Sequence, residues 1–148
     1  MLKKLGLLSV FILFTQVAIS QALLDWDDMI LGVAYDVPEG GAELGEFLTP
    51  TYTKQMIALE GKEISIIGYF LILEGEKDTY MLSNNPMASC FFCGNGGPET
   101  IIELYFDAKP TFLMDDLISV KGKLKLNRDN PDHTYYTIEQ ANGFAIKL

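Results

Sequence analysis

The residues with the clearest chemical potential are Cys90 and Cys93, which lie in the run Ser-Cys-Phe-Phe-Cys-Gly-Asn-Gly-Gly-Pro-Glu. Two thiols at this spacing can form a tight disulfide, exchange with other disulfides, or bind one metal ion as thiolates. Disulfide formation and shared metal binding both predict that the two sulfur atoms lie close together. We expect them at the surface of the domain and outside its core, because the following glycines favour a turn.

The disulfide and redox interpretations of this pair both remain open. A bond between Cys90 and Cys93 closes a very short loop and contributes only about 2 kcal/mol in the chain-entropy model. Such a loop would present Phe91 and Phe92 to a protein partner. A thiol-disulfide oxidoreductase usually places its first cysteine at a helix N-terminus, and no helical pattern follows Cys93.

Metal binding is the third interpretation, with zinc or copper as the ion. A closed zinc site requires two further ligands, for which His133 and Glu99 are the candidates and Asp107 is a weaker one. Copper(I) accepts fewer and softer ligands, so Met87 or Met81 can complete its site. The chain has no second Cys-x-x-Cys and no Cys-x-x-His, so the pattern leaves the metal undetermined.

The sequence lacks the patterns that typify common catalytic centres. His133 is the only histidine, and no serine lies in the context of a nucleophile elbow. The glycines at 94–97 have no following lysine of the phosphate-binding type. We therefore predict a non-enzymatic binding module, with a metal ion or an exported protein as its partner.

Residues 1–20 have the features of a secretory signal peptide. Lys3 and Lys4 precede an apolar stretch at 5–19, and Ala18-Ile19-Ser20 places small residues at a cleavage site. We predict a mature N-terminus at Gln21 or Leu23 and a periplasmic or secreted location. No other segment is long and apolar enough for a helical span, so we predict that the chain is not an integral membrane protein.

The charge of the chain is strongly acidic, with 20 acidic and 11 basic residues and a formal net charge of −9. Removal of residues 1–20 takes away two lysines and no acids, which makes the net charge more negative. Because this charge repels phosphate backbones, we predict that the protein does not bind nucleic acid.

Two regions follow the predicted signal peptide: an N-terminal segment at 21–56 and a domain at 57–148. The segment begins with helical spacing capped by Asp25, and Trp26 is expected to anchor it to the domain. Residues 47–56 are expected to be extended.

The domain is predicted to be mostly β, with alternating or continuously apolar strands. Gly68 interrupts the longest strand, which suggests a bend or bulge. This order fits a small five-stranded Greek-key barrel of the OB type, with a β-sandwich as the alternative. The strands are predicted at 63–73, 79–82, 100–106, 117–126 and 133–139, and the inward residues are predicted to be Ile64, Ile66, Leu104, Val120 and Leu124.

The stretches at 59–69, 81–99 and 120–127 resemble a family of small exported bacterial proteins. Its members share a tryptophan near the mature N-terminus, a Leu-x-Gly-Lys strand start, and a Cys-Phe-Phe-Cys-Gly loop followed by Gly-Pro-Glu. A broader periplasmic family is similar in layout, with Cys-x-His and prolines at this loop. The resemblance covers most of the mature chain and implies an OB-like barrel and export. It carries no established activity.

Overall fold

The computed structural model describes residues 21–40, 47–75, 78–90 and 96–147. The predicted signal peptide, Phe91, Phe92 and Cys93 lie outside the described residues. Two short helices and eight strands form within them. The helices are α1 (Trp26–Leu31) and α2 (Lys54–Leu59), and the strands are β1 (Ala22–Leu23), β2 (Val33–Ala34), β3 (Thr51–Tyr52), β4 (Glu63–Leu73), β5 (Thr79–Ser83), β6 (Ile101–Phe106), β7 (Leu117–Leu126) and β8 (Tyr136–Ala145).

Strands β4 to β8 form a closed barrel with the order β4-β5-β6-β8-β7, in which β7 pairs back onto β4. The β6–β8 pair is parallel, and the other neighbouring pairs in this barrel are antiparallel. This is the strand order of a five-stranded Greek-key barrel of the OB type. The predicted fold class is therefore confirmed, and the alternative of a β-sandwich is wrong.

Gly68 lies at the corner where β4 changes partners. The strand pairs with β7 from Glu63 to Tyr69 and with β5 from Tyr69 onward. A Cβ atom at Gly68 would lie 2.8 Å from Cγ of Leu82 and 2.9 Å from the ring of Trp26. Glycine is thus required here by the close approach of two other elements, which is a common reason for a glycine inside a strand.

The barrel interior contains all five of the residues predicted to face inward, and each is buried. They belong to one core with large side chains from β4, β6 and β8. Buried polar groups within this core are paired: the hydroxyl of Tyr136 donates to the carbonyl of Met29 over 2.8 Å. That bond also connects the barrel to α1, which precedes it in sequence.

The N-terminal segment begins with a helix that is capped as expected. The side chain of Asp25 accepts from the Asp28 amide, and the Asp28 side chain accepts from the Asp25 amide, a reciprocal capping box. The indole of Trp26 donates to the carbonyl of Ile67 over 2.8 Å and so anchors the segment to β4. No helix among the described residues is long and apolar enough to cross a membrane.

The largest differences from the predicted bounds are at α2 and at β8, which also extends to Ala145 beyond its predicted end at residue 139. Residues 54–56 are helical and not extended, because Thr53 caps α2 by accepting from the Met56 amide. Strand β8 begins at Tyr136 and not at His133. The side chain of Asn127 donates to the carbonyls of Asn130 and His133, which holds the preceding residues in a compact turn.

Candidate functional site on the outer face of the barrel

Cys90 lies in the loop that joins β5 to β6, directly after a one-turn 3-10 helix at Met87–Ser89. Its side chain is a free thiol with no exposed surface. It packs in a small cluster with Leu71, Met81 and Ile101, separate from the main core. Cys90 therefore lies on the outer face of the barrel and outside its main core, as expected, but it is enclosed there by apolar residues and has no exposed surface. Cys93 lies outside the described residues, so its distance from Cys90 stays a prediction.

Met87 is next to this thiol. The Sγ atom of Cys90 lies 3.9 Å from the Sδ atom of Met87. The backbone amide of Met87 donates to Oδ1 of Asp115 over 2.7 Å, which fastens the loop to the turn before β7. The described end of the cysteine loop thus has a fixed position, with two sulfur atoms side by side.

The other predicted ligands have hydrogen-bond partners of their own. Glu99, in a one-turn 3-10 helix at Pro98–Thr100, accepts from the hydroxyl of Tyr35 over 2.8 Å. Burial, together with this carboxylate, raises the pKa of Tyr35 well above its usual value. The Nδ1 atom of His133 lies 3.0 Å from Oε2 of Glu103. The remaining candidate, Asp107, is exposed.

Glu103 is the centre of a cluster that the sequence did not reveal. Its side chain is only 10% exposed, and its two oxygens face different partners. The hydroxyl of Tyr105 donates to Oε1 over 2.7 Å, and the ring of His133 contacts Oε2. Burial and this carboxylate raise the pKa of Tyr105 to about 12. An acidic residue inside the otherwise apolar strand β6 was the one available signal.

The cysteine cluster and the Glu103 cluster lie on the same outer face. Leu71 is opposite Met81, and Met81 is opposite Glu103. Directly opposed residues place their side chains on one side of a sheet. Cys90 packs on Leu71 and Met81, and His133 contacts Glu103.

Within the described residues, no group of three His, Cys, Asp or Glu side chains is arranged to hold a metal ion. A site with three such ligands would therefore need a residue outside that part of the chain, for which Cys93 is the candidate from the sequence. What the described geometry can supply is a thiol and a thioether in contact, enclosed by apolar side chains.

A groove of about 240 Å³ lies beside the Glu103 cluster. Tyr105 and His133 line one part of it, and Lys125, Thr137 and Glu139 line another. The side chains of Lys125 and Glu139 form an exposed ion pair with 3.8 Å between Nζ and Oε2. The groove thus combines an aromatic ring with charged and hydroxyl groups.

The fold and these positions define an OB-type barrel with a cysteine-bearing loop packed on its outer face. No family model and no curated protein matches the chain. The fold is similar to the crystal structure of a DUF3299 family protein from Pseudomonas aeruginosa PAO1, with a TM-score of 0.55 and 15% identity. That match covers 87% of this chain and 99% of the other. At this identity the likeness shows the fold alone, and the predicted family resemblance at the Cys-Phe-Phe-Cys-Gly loop stays a prediction.

Proposed function

We propose that the protein is an exported, non-enzymatic binding module that holds a copper(I) ion through Cys90 and Cys93, with Met87 as a third ligand. The observation that carries this proposal is the 3.9 Å distance between the sulfur atoms of Cys90 and Met87. Thiolate and thioether ligands together select copper(I) over harder ions.

The positions of the other candidate ligands favour copper over zinc. Zinc in a closed site takes four ligands, which are thiolates, imidazoles or carboxylates. His133 is bound to Glu103, and Glu99 is bound to Tyr35. Recruiting either one would break a hydrogen bond, and in the case of His133 would leave a mostly buried carboxylate with one partner fewer.

The surroundings of the thiol also suit a soft ion. Cys90 is enclosed by Leu71, Met81 and Ile101. These side chains offer no nitrogen or oxygen ligand apart from the backbone, and Met81 adds a second thioether, so the donors near Cys90 are of the sulfur type that copper(I) prefers. Two or three sulfur ligands are enough for copper(I), and the loop offers that number.

The test is metal loading under reducing, oxygen-free conditions, followed by metal analysis and native mass spectrometry. The wild-type mature chain should bind one copper(I) ion per molecule. Cys90→Ser and Cys93→Ser should each abolish stoichiometric binding, and Met87→Leu should weaken it. Met114→Leu is the matched control, because Met114 is an exposed methionine outside the cluster, and it should bind copper as the wild type does.

Three results would contradict the proposal. One is binding of zinc that is lost in His133→Ala, which would indicate a mixed thiolate-imidazole site. Another is an absence of metal together with a Cys90–Cys93 disulfide in a free-thiol count, which would favour an interaction module. The third is catalysis of thiol-disulfide exchange. The export part is tested separately by N-terminal sequencing of protein from its host, where Gln21 or Leu23 should be first.

A further inference from the structure

The groove beside the Glu103 cluster presents a rigidly held aromatic ring to solvent. Tyr105 is 44% exposed, yet its hydroxyl is fixed by a 2.7 Å hydrogen bond to Glu103. Glu103 is in turn held by His133, and its backbone amide donates to the hydroxyl of Thr134. A ring that is fixed before binding loses little conformational freedom when a ligand packs against it.

The hydrogen-bonding groups of the groove suit a neutral ligand better than an ion. Lys125 and Glu139 lie within 3.8 Å of each other, so an anion drawn to one is repelled by the other, and the same holds for a cation. A zwitterion would have to break this ion pair to use both charges. Vicinal hydroxyl groups, which both donate and accept, can bridge the pair without separating it.

The volume of the groove and its position on the barrel further restrict the class of ligand that it can bind. A volume of about 240 Å³ is below the range of roughly 300–1,000 Å³ that is typical of sites for drug-sized molecules. It is formed by Tyr105 on β6, by residues of β7 and β8, and by the turn that joins these two strands, the fourth and fifth of the barrel. OB-folds bind oligonucleotides and oligosaccharides at the corresponding strand and loop, and the acidic charge of this chain disfavours the former.

We propose that this groove binds one sugar ring of a neutral oligosaccharide. The apolar face of the sugar packs on the ring of Tyr105, and its hydroxyl groups bond to Lys125, Glu139 and Thr137. This site is independent of the proposed copper site, which uses Cys90 and its neighbouring sulfur atoms.

The experiment is a titration of the ¹⁵N-labelled mature protein with cellotetraose, maltotetraose and chitotetraose, one at a time. At least one of them should shift the amide signals of Tyr105, His133 and Thr137 in a saturable way. Tyr105→Ala should weaken this binding by about tenfold, because it removes the ring on which the sugar packs. Tyr105→Phe keeps the ring and should bind with nearly the wild-type affinity.

Phe144→Ala serves as the control, because Phe144 is an exposed aromatic residue on β8 outside the groove. It should leave sugar binding unchanged. If Tyr105→Ala fails to fold, Glu139→Gln tests the same site, because it keeps the shape of an exposed side chain and removes its charge. It should weaken sugar binding severalfold.

The proposal is overturned if none of the three oligosaccharides shifts these signals at millimolar concentration. It is also overturned if glycine or inorganic phosphate produces the same shifts while the sugars do not, since the groove would then be an ion site. Cys90→Ser should retain sugar binding, and Tyr105→Ala should retain copper. The two proposals therefore succeed or fail separately.

Discussion

At the scale of single residues, Cys90 shows how a chemically obvious side chain can have an unexpected environment. Its type and spacing marked it for a loop site on the surface of the barrel, outside the core. The structure places it there, but encloses it completely between Leu71, Met81 and Ile101. A buried thiol can react only when its surroundings open, so the loop controls its chemistry.

We expect this burial to slow alkylation of Cys90. In Cys93→Ser, where Cys90 is the only thiol, reaction with iodoacetamide should be at least about tenfold slower in native protein than in urea-unfolded protein. The control is Ala88→Cys in a chain with both native cysteines changed to serine, because Ala88 is exposed. It should react at nearly the same rate in both states. Equal rates for Cys90 would contradict its enclosed position.

Residue types alone could identify part of the candidate site. Cys90, Met87 and His133 were all singled out from the sequence, and the first two do lie in contact. The connection of His133 to Glu103 depends on which residues the strand register and the β7–β8 turn bring together across thirty positions. No local pattern encodes that register, so Glu103 was missed.

At the scale of elements, the pattern of apolar and polar residues was sufficient to predict the bounds of a strand where one face of that strand meets the core. The bounds of β4 and β7 match the prediction to the residue, because both have long regular patterns. Helix α2 was missed because Pro50 and the threonines at 49, 51 and 53 indicated an extended segment, whereas Thr53 in fact caps a helix. The start of β8 was missed because asparagine hydrogen bonds override the strand tendency of the residues before Tyr136.

Strand β7 provides a direct test of the inward face. Val120→Asp would place an unpaired carboxylate at a fully buried position, and we expect it to destabilise the fold by more than about 4 kcal/mol or to prevent folding. Lys121→Asp is the control on the same strand, since Lys121 is exposed and lies opposite Ser65 and Asn142. Its effect should be within about 0.5 kcal/mol.

Urea unfolding followed by circular dichroism measures both variants. A mild effect of Val120→Asp, comparable with that of the control, would mean that this face of β7 does not point into the barrel.

At the scale of the whole molecule, the buried residues Tyr135 and Tyr136 connect the barrel to its N-terminal segment through bonds to the carbonyls of Leu48 and Met29. Together with the partly exposed Tyr105, they make the stability of the fold sensitive to high pH. Desolvation raises the pKa of Tyr105 and of Tyr135 to about 12, and raises that of Tyr136 further. In the unfolded chain these groups lose their protons near pH 10.0. The unfolded state then binds fewer protons than the native state, so the free energy of unfolding falls as pH increases.

We expect the contribution of these tyrosines to the free energy of unfolding to be constant below pH 10 and to decline between pH 10 and about 12. Urea unfolding across this interval measures the decline, and absorbance at the tyrosinate band reports ionisation. In Tyr105→Phe one titrating group is gone, so the decline should be shallower. Unchanged stability across the interval would contradict the claim that folding raises the pKa values of these tyrosine hydroxyl groups.

The position of β8 has a consequence for when the protein can fold. The last strand of the barrel lies between β6 and β7, so neither neighbour has its full set of backbone partners until Tyr136–Ala145 has been made. Before β8 is made, the chain lacks two fully buried residues of its core, Tyr136 and Ile138. The order of strands thus delays closure of the barrel until β8 is available to pair with both of its neighbours.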